Sequence, residues 1–329
     1  MQFDRLRRRE FIMLLGGMAA QRSVARAQSR MPILGYLWST SKTDDARGLP
    51  AFRQGLADYG FIEDQNLKVV YRYADGQYDR LPALAAELVR YSVDVIVAGP
   101  SSPAAVAAKN ATSTIPIVFS IGADPVELGL VASFSRPGAN VTGIDVAPES
   151  LTAKRFEWLN DLVPKSRPFA ELVNPANRIV EFEKRSANEA ARVLGRELHF
   201  INASTAAEIG FGFEEMASKQ IGGLVVWFEA LFGQQREQIV SLANRYRIPT
   251  IYPFREFVKL GGLVSYGPNV SVSRRQLGVY VGRILKGARP NELPVMTPAT
   301  YDLVINLTTA KALGLNIPQN LTVTAEVIE

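Results

Sequence analysis

From Pro32 onward, short apolar runs alternate with stretches whose apolar residues recur at helical spacing. Ile33 to Leu37 has the pattern of a buried strand, and Leu49 to Tyr59 keeps helical spacing until Gly60 stops it. Leu67 to Tyr73 alternates as a strand does. Tyr78 to Tyr91 places Leu81, Leu84, Leu88 and Val89 on one helical face, with Pro82 in the first turn, where its missing N–H costs nothing. Val93 to Ala98 is a continuous β-branched run, as in a strand covered on both faces. A helix is expected from Pro103 to Asn110, a strand at Pro116 to Ser120, a helix near Pro125 to Phe134, and a closing strand at Val141 to Ile144.

A second series begins after Pro148-Glu149-Ser150. It predicts helices over 151–163, 179–194, 206–218 and 234–246, with strands at 169–173, 197–201, 223–227 and 250–251 between them. Gly262 to Tyr266, a helix at 273–285, the proline-rich stretch 290–298, a strand at 301–306 and a short helix to Gly314 complete the chain. Strand–helix alternation of this kind implies parallel sheets, and its length suits two α/β domains with a short shared tail.

The first 27 residues follow another pattern. Arg7-Arg8-Arg9-Glu10-Phe11 leads into an apolar run from Ile12 to Ala20 and then Ala25-Arg26-Ala27. A basic start, a short apolar stretch and a small-x-small site predict an export signal cleaved after about Ala27, and the paired arginines resemble a twin-arginine leader. This leader changes the meaning of the charge. The 329-residue chain has 37 Lys+Arg against 32 Asp+Glu, a formal +5. Six arginines against two acids within residues 1–27 account for four of those charges. The mature chain is close to neutral, so a basic nucleic-acid surface loses its support. The chain has no Cys, which excludes disulfides, thiolate chemistry and a lipidated cysteine, and its single His is His199. Beyond the leader no segment holds 18 uncharged apolar residues, so no membrane insertion of the mature chain is expected.

Ligands of open parallel sheets sit beyond the carboxyl ends of the strands. That rule selects Trp38, Ser39 and Thr40; Ser101 and Ser102; Gly122 and Asp124; Asn174; Phe228 and Glu229; and Tyr252. Ser101-Ser102-Pro103 brings two hydroxyls to a helix start, where unpaired N–H groups favour an anion such as a carboxylate, although a plain serine cap has the same sequence. Trp38, Phe228 and Tyr252 could line a cleft for an apolar or aromatic body, or pack as core. Glu229 could meet a ligand ammonium, or be a solvated loop acid. Asp124-Pro125 is first of all a helix start. No nucleophile elbow, phosphate loop or dinucleotide fingerprint is present, and His199 falls inside a strand, away from the serines. No cofactor and no metal are expected.

Several stretches together resemble the ABC-transporter substrate-binding proteins of the type I periplasmic-binding fold, in the group that includes tryptophan- and tyrosine-type binding proteins. They are Ala51-Phe52-Arg53-Gln54-Gly55-Leu56, Tyr78-Asp79-Arg80-Leu81-Pro82-Ala83-Leu84, Ile115-Pro116-Ile117-Val118-Phe119 with Asp124-Pro125, and Arg136-Pro137-Gly138-Ala139-Asn140-Val141-Thr142-Gly143. Arg255-Glu256-Phe257-Val258 with Gly261-Gly262-Leu263, Ser265-Tyr266-Gly267-Pro268-Asn269 and Leu303-Val304-Ile305-Asn306-Leu307 extend the likeness. The resemblance implies two Rossmann-like lobes with parallel sheets, 31–145 plus 266–297 and 147–264 plus 299–329, joined by a three-stranded hinge. It implies a monomer that closes over a small solute and hands it to an inner-membrane permease in the periplasm. Ser101-Ser102-Pro103 replaces the family's common Gly-Thr-Pro, and Glu229-Ala230 its common Asp-Pro. The expected function is capture of a small carboxylate-bearing solute, an amino acid or aromatic acid, without chemistry. A periplasmic sensor docking on a receptor, or an exported enzyme on the same fold, remain alternatives.

Overall fold

Two sheets organise the chain. The structure, a computed structural model, describes residues 30–329 except Arg178, so the expected leader lies outside the described residues. The first sheet has five parallel strands in the order β2-β1-β3-β4-β5: β1 (Ile33–Trp38), β2 (Lys68–Tyr73), β3 (Val95–Gly99), β4 (Ile117–Ile121) and β5 (Val141–Asp145). Helices α2 (Leu49–Ala57), α3 (Leu81–Arg90) and α4 (Ser102–Ala111) each begin with a proline in the first turn. A short α1 (Lys42–Asp45) precedes them. Leu81, Ala85 and Leu88 of α3 and Ala104, Ala105 and Ala108 of α4 cover one face of the sheet.

The second sheet has seven strands in the order β12-β11-β10-β9-β8-β6-β7. These are β6 (Phe169–Val173), β7 (Leu198–Asn202), β8 (Gly223–Val226), β9 (Thr250–Tyr252), β10 (Val264–Pro268), β11 (Tyr301–Asn306) and β12 (Glu326–Ile328). Only the β10–β11 pair is antiparallel. On one face lie α7 (Ala206–Ser218) and α9 (Arg236–Arg245), through Ile209, Phe213, Met216, Ile239 and Val240. On the other lie α5 (Glu149–Leu162) and α6 (Val180–Val193), with α12 (Leu307–Leu313) and α13 (Gln319–Thr324) at the margin. Short α8 (Ala230–Gln234) and α10 (Arg255–Lys259) follow β8 and β9.

The chain passes between the sheets three times. It leaves β5 through Val146 and Ala147, returns after Pro268 into α11 (Val270–Leu285), and crosses again between Met296 and Tyr301. At the last passage Met296 donates its N–H to Gly143 O at 3.0 Å and accepts from Asp145 N at 2.9 Å. α11 covers the other face of the first sheet and meets α2 backbone to backbone. A Cβ at Gly55 would stand 2.0 Å from Arg275 O, and one at Gly278 2.1 Å from Phe52 O, so both crossing points require glycine.

One expected helix is corrected. The stretch 125–134 forms turns, not a helix: Leu128 N bonds to Asp124 O at 3.1 Å, but Gly129 then takes φ +63° and diverts the chain, burying Leu130 and Val131 in the first core. The helix expected over 234–246 is α9 (Arg236–Arg245), preceded by the short α8, which ends at Gln234.

Candidate functional site

The carboxyl ends of the strands from the two lobes face one another across a cleft. Trp38, Thr40, Pro100 and Ser120 of the first lobe and Phe228, Glu229, Arg236 and Phe254 of the second line one cavity, with Ser273 and Arg274 of α11. A smaller cavity continues past Phe228 and Glu229 to Ser101, Ser102, Gly122 and Asn177. Ser101 is the N-cap residue of α4 and Ser102 its first residue. Both side chains are buried, and neither hydroxyl has a hydrogen-bond partner. An ordinary serine cap would instead accept from the backbone N–H two or three residues on.

Glu229 is buried, not solvated. It follows β8 and caps α8, accepting from Leu231 N at 3.4 Å. Its carboxylate also accepts from Asn174 Nδ2 at 3.1 Å, Asn177 Nδ2 at 2.7 Å and the Tyr78 hydroxyl of the first lobe. Three of these donors fall on Oε1 and one on Oε2, so most of the carboxylate's capacity is met within the protein and Oε2 retains one acceptor position for a ligand amine. Burial raises its pKa against the opposing effect of those hydrogen bonds. Asn174 thus stands behind Glu229 and orients it, while its own Oδ1 accepts from Ala176 N and Ser204 Oγ.

Trp38 stacks on Tyr36 with centroids 4.8 Å apart. Ser39 is fully buried below the cavity, its N–H bonded to Gly99 O and its carbonyl to Gly76 N. Asp124 belongs elsewhere. It is exposed, accepts from Val126 N and Glu127 N, and lines a separate cavity beside Glu183 and Trp227. Tyr252 is corrected: its ring is fully buried and stacks on Phe257 at 4.8 Å in the core of the second lobe. As the last residue of β9, it points to the inner face of the sheet. Phe254, two residues on, reaches the cavity instead. Tyr78, Asn177, Arg236 and Arg274 escape the strand-end rule. Asn177 alone had a local signal, being three residues beyond Asn174 in the same loop. His199 lies within β7, 3.1 Å from Glu197 Oε1.

Comparison with known proteins matches this architecture. The family model described as ABC transporter substrate binding protein matches residues 44–328. The tyrosine-binding protein of Clostridioides difficile is 28% identical over 264 residues, covering 80% of this chain and 75% of that one. A conserved domain protein from Vibrio cholerae superposes with a TM-score of 0.83 at 25% identity, covering 91% of this chain and all of the other. A Streptococcus pneumonia ABC domain in complex with L-Trp gives 0.82 at 24% identity, with the same coverage. The match extends over both lobes and the passages between them, and its family binds solutes without transforming them. The chain belongs to the ABC transporter substrate-binding proteins, the solute-capturing components of ABC importers.

Proposed function

We propose that this protein captures a small carboxylate-bearing solute, an amino acid or an aromatic acid, between its lobes and delivers it to an inner-membrane permease. The observation that carries the ligand class is the buried, unpartnered hydroxyl pair of Ser101 and Ser102 at the start of the ten-residue α4. A helix start and two free hydroxyls suit a carboxylate. Trp38, Phe228 and Phe254 supply apolar walls for the rest of the solute. Because protein donors already surround Glu229, an amine is not required, and aromatic acids without one belong to the same class. The tyrosine-binding relative and the L-Trp complex support this reading.

A thermal-shift panel tests it, with tyrosine, tryptophan, other amino acids, and benzoate- and phenylacetate-type acids. A ligand at 100 times its Kd adds ~2.7 kcal/mol and raises the melting temperature visibly. No shift with any member rejects the ligand class. The periplasm is the proposed location, reached through removal of residues 1–27. Arg8→Lys with Arg9→Lys, the pair standing in Arg-Arg-x-Phe, should leave the precursor in the cytoplasm; unchanged export would reject the twin-arginine route.

A further inference from the structure

Tyr78 opens the short 3-10 turn Tyr78–Arg80 of the first lobe, between β2 and α3. Its ring packs on the core of that lobe. Its hydroxyl crosses the cleft and donates to Glu229, 151 residues away in the second lobe. The other donors to Glu229, namely Asn174, Asn177 and Leu231 N, all come from the second lobe itself. Ser101, at the start of α4, lies beside the same phenol oxygen. The phenol therefore stands between the hydroxyl pair of one lobe and the buried carboxylate of the other.

We propose that the Tyr78–Glu229 hydrogen bond is the latch that selects the closed arrangement, which makes Tyr78 a positioning residue for capture, not a contact to the solute. The inference rests on the reading that the lobes close over a solute. Other polar contacts across the cleft are weaker. Arg236 and Asp44 approach only to 3.6 Å, and Arg185 and Glu127, both largely exposed, only to 3.8 Å. The first pair, partly buried, is too long for a hydrogen bond, and an exposed pair such as the second contributes little. Tyr78–Glu229 joins a half-buried phenol to a buried carboxylate, is charge-assisted, and exists only when the lobes meet. When the lobes part, water replaces each partner. When they close without the phenol hydroxyl, the carboxylate loses its only donor from the first lobe.

Removing that hydroxyl should lower the closed population about tenfold, the effect of one hydrogen bond to a charged group. Affinity then falls by the same factor for every ligand, because each pays for the same closure. A residue touching the solute would instead change the ranking of ligands. The test uses Tyr78→Phe, which keeps the ring in the core, and Glu229→Gln as a second variant. The chain has no Cys, so Ala83→Cys in the first lobe and Ala217→Cys in the second take spin labels at those positions alone. Pulsed electron spin resonance on the ligand-free protein reads the distance between lobes. The expected result is a closed population at least severalfold smaller in both variants than in the parent, with ligand ranking unchanged in Tyr78→Phe, whose residue does not line the cavity. Equal closed populations in the parent and both variants overturn the latch. If nothing in the ligand panel binds, the proposed ligand class fails, while the distance measurement still decides the latch.

Discussion

The guanidinium of Arg274 lies 3.8 Å above the centroid of the Trp38 ring. The same fork donates from Nη1 to Tyr36 OH at 2.7 Å and from Nη2 to Asp45 Oδ1 at 2.8 Å. Arg274 comes from α11 and the other three from the first strand and the helix beside it, so the contact ties the returning helix to the wall of the cavity. Asp45 is buried and has no other cation beside it among the described residues. Arg274→Met should therefore cost about 3–5 kcal/mol, the penalty of leaving a buried charge uncompensated. Arg274→Lys retains the charge but not the planar fork, and should cost about 1–2 kcal/mol. Urea midpoints at unchanged m-value measure both; a loss below about 1 kcal/mol in the Met variant would show that the contact is incidental.

Asp145 ends β5, where the chain leaves the first sheet, and it is almost completely buried. Burial raises its pKa to about 7, opposed by the hydrogen bond from Ala147 N and assisted by Asp124. An unfolded Asp titrates near ~3.9. Between about pH 4 and 7, then, the unfolded chain releases a proton that the native protein retains. The native state binds more protons, so stability falls as pH rises through this window, by about 4 kcal/mol at most. Asp145→Asn keeps an oxygen for the Ala147 N–H and removes the titration. Its urea midpoint should gain on that of the parent from about pH 4.5 to about 7 and level off above, and parallel curves would refute the assignment.

Much of this architecture is legible in the sequence, because burial on both faces writes itself as runs such as Val95 to Gly99 and helix starts as Pro50, Pro82 and Pro103. The site is legible only in part. Ser101 and Ser102 are visible because a strand end and a helix start are both local signals. Tyr78, Arg274 and Glu229 acquire their roles from partners 151 to 238 residues away, and nothing near Tyr78 distinguishes it from the first apolar residue of a helix. Tyr252 shows the converse. An aromatic at a strand end has two faces available, and only the pleat decides which one it takes. At Gly129 a single left-handed glycine outweighs a run of otherwise helical spacing.

Closure also depends on the absence of a side chain. Gly122 follows β4, and a Cβ there would stand 2.8 Å from Cδ1 of Phe228 in the opposite lobe and 3.0 Å from Cβ of Ala147. Neither neighbour can withdraw without opening the cleft or shifting the passage after β5. Gly122→Ala should weaken the affinity of any solute found in the thermal-shift panel about tenfold, the effect of mild overpacking. The ligand-free melting temperature should move less, since the tighter clash, with Phe228, occurs only between lobes. Titration calorimetry decides: equal affinity in parent and variant would mean that the lobes do not approach this closely when they hold solute.

Arg155 in α5 gives a last prediction, in which the sign of a pH effect identifies the partner. Its Nε donates to Tyr266 O at 2.8 Å, anchoring α5 to β10 just before the second passage between lobes. Around it are the carboxyls of Glu171 in β6, fully buried, and of Glu183 in α6, partly buried; Thr152 donates to Glu183 at 3.0 Å. Burial lowers the Arg155 pKa to about 10 and raises both carboxyls. At neutral pH Arg155 is the cation that balances the charge these two acids carry. Arg155→Met removes that balance and should cost about 3–5 kcal/mol at pH 7.5. Both carboxyls are held above the ordinary carboxylate range, so they take up protons as the pH falls toward 5, and the parent then buries an unpaired cation that the variant lacks. The penalty should shrink toward zero as pH falls. Urea unfolding at pH 5 and 7.5 measures the difference, and a penalty independent of pH would assign Arg155 to packing alone.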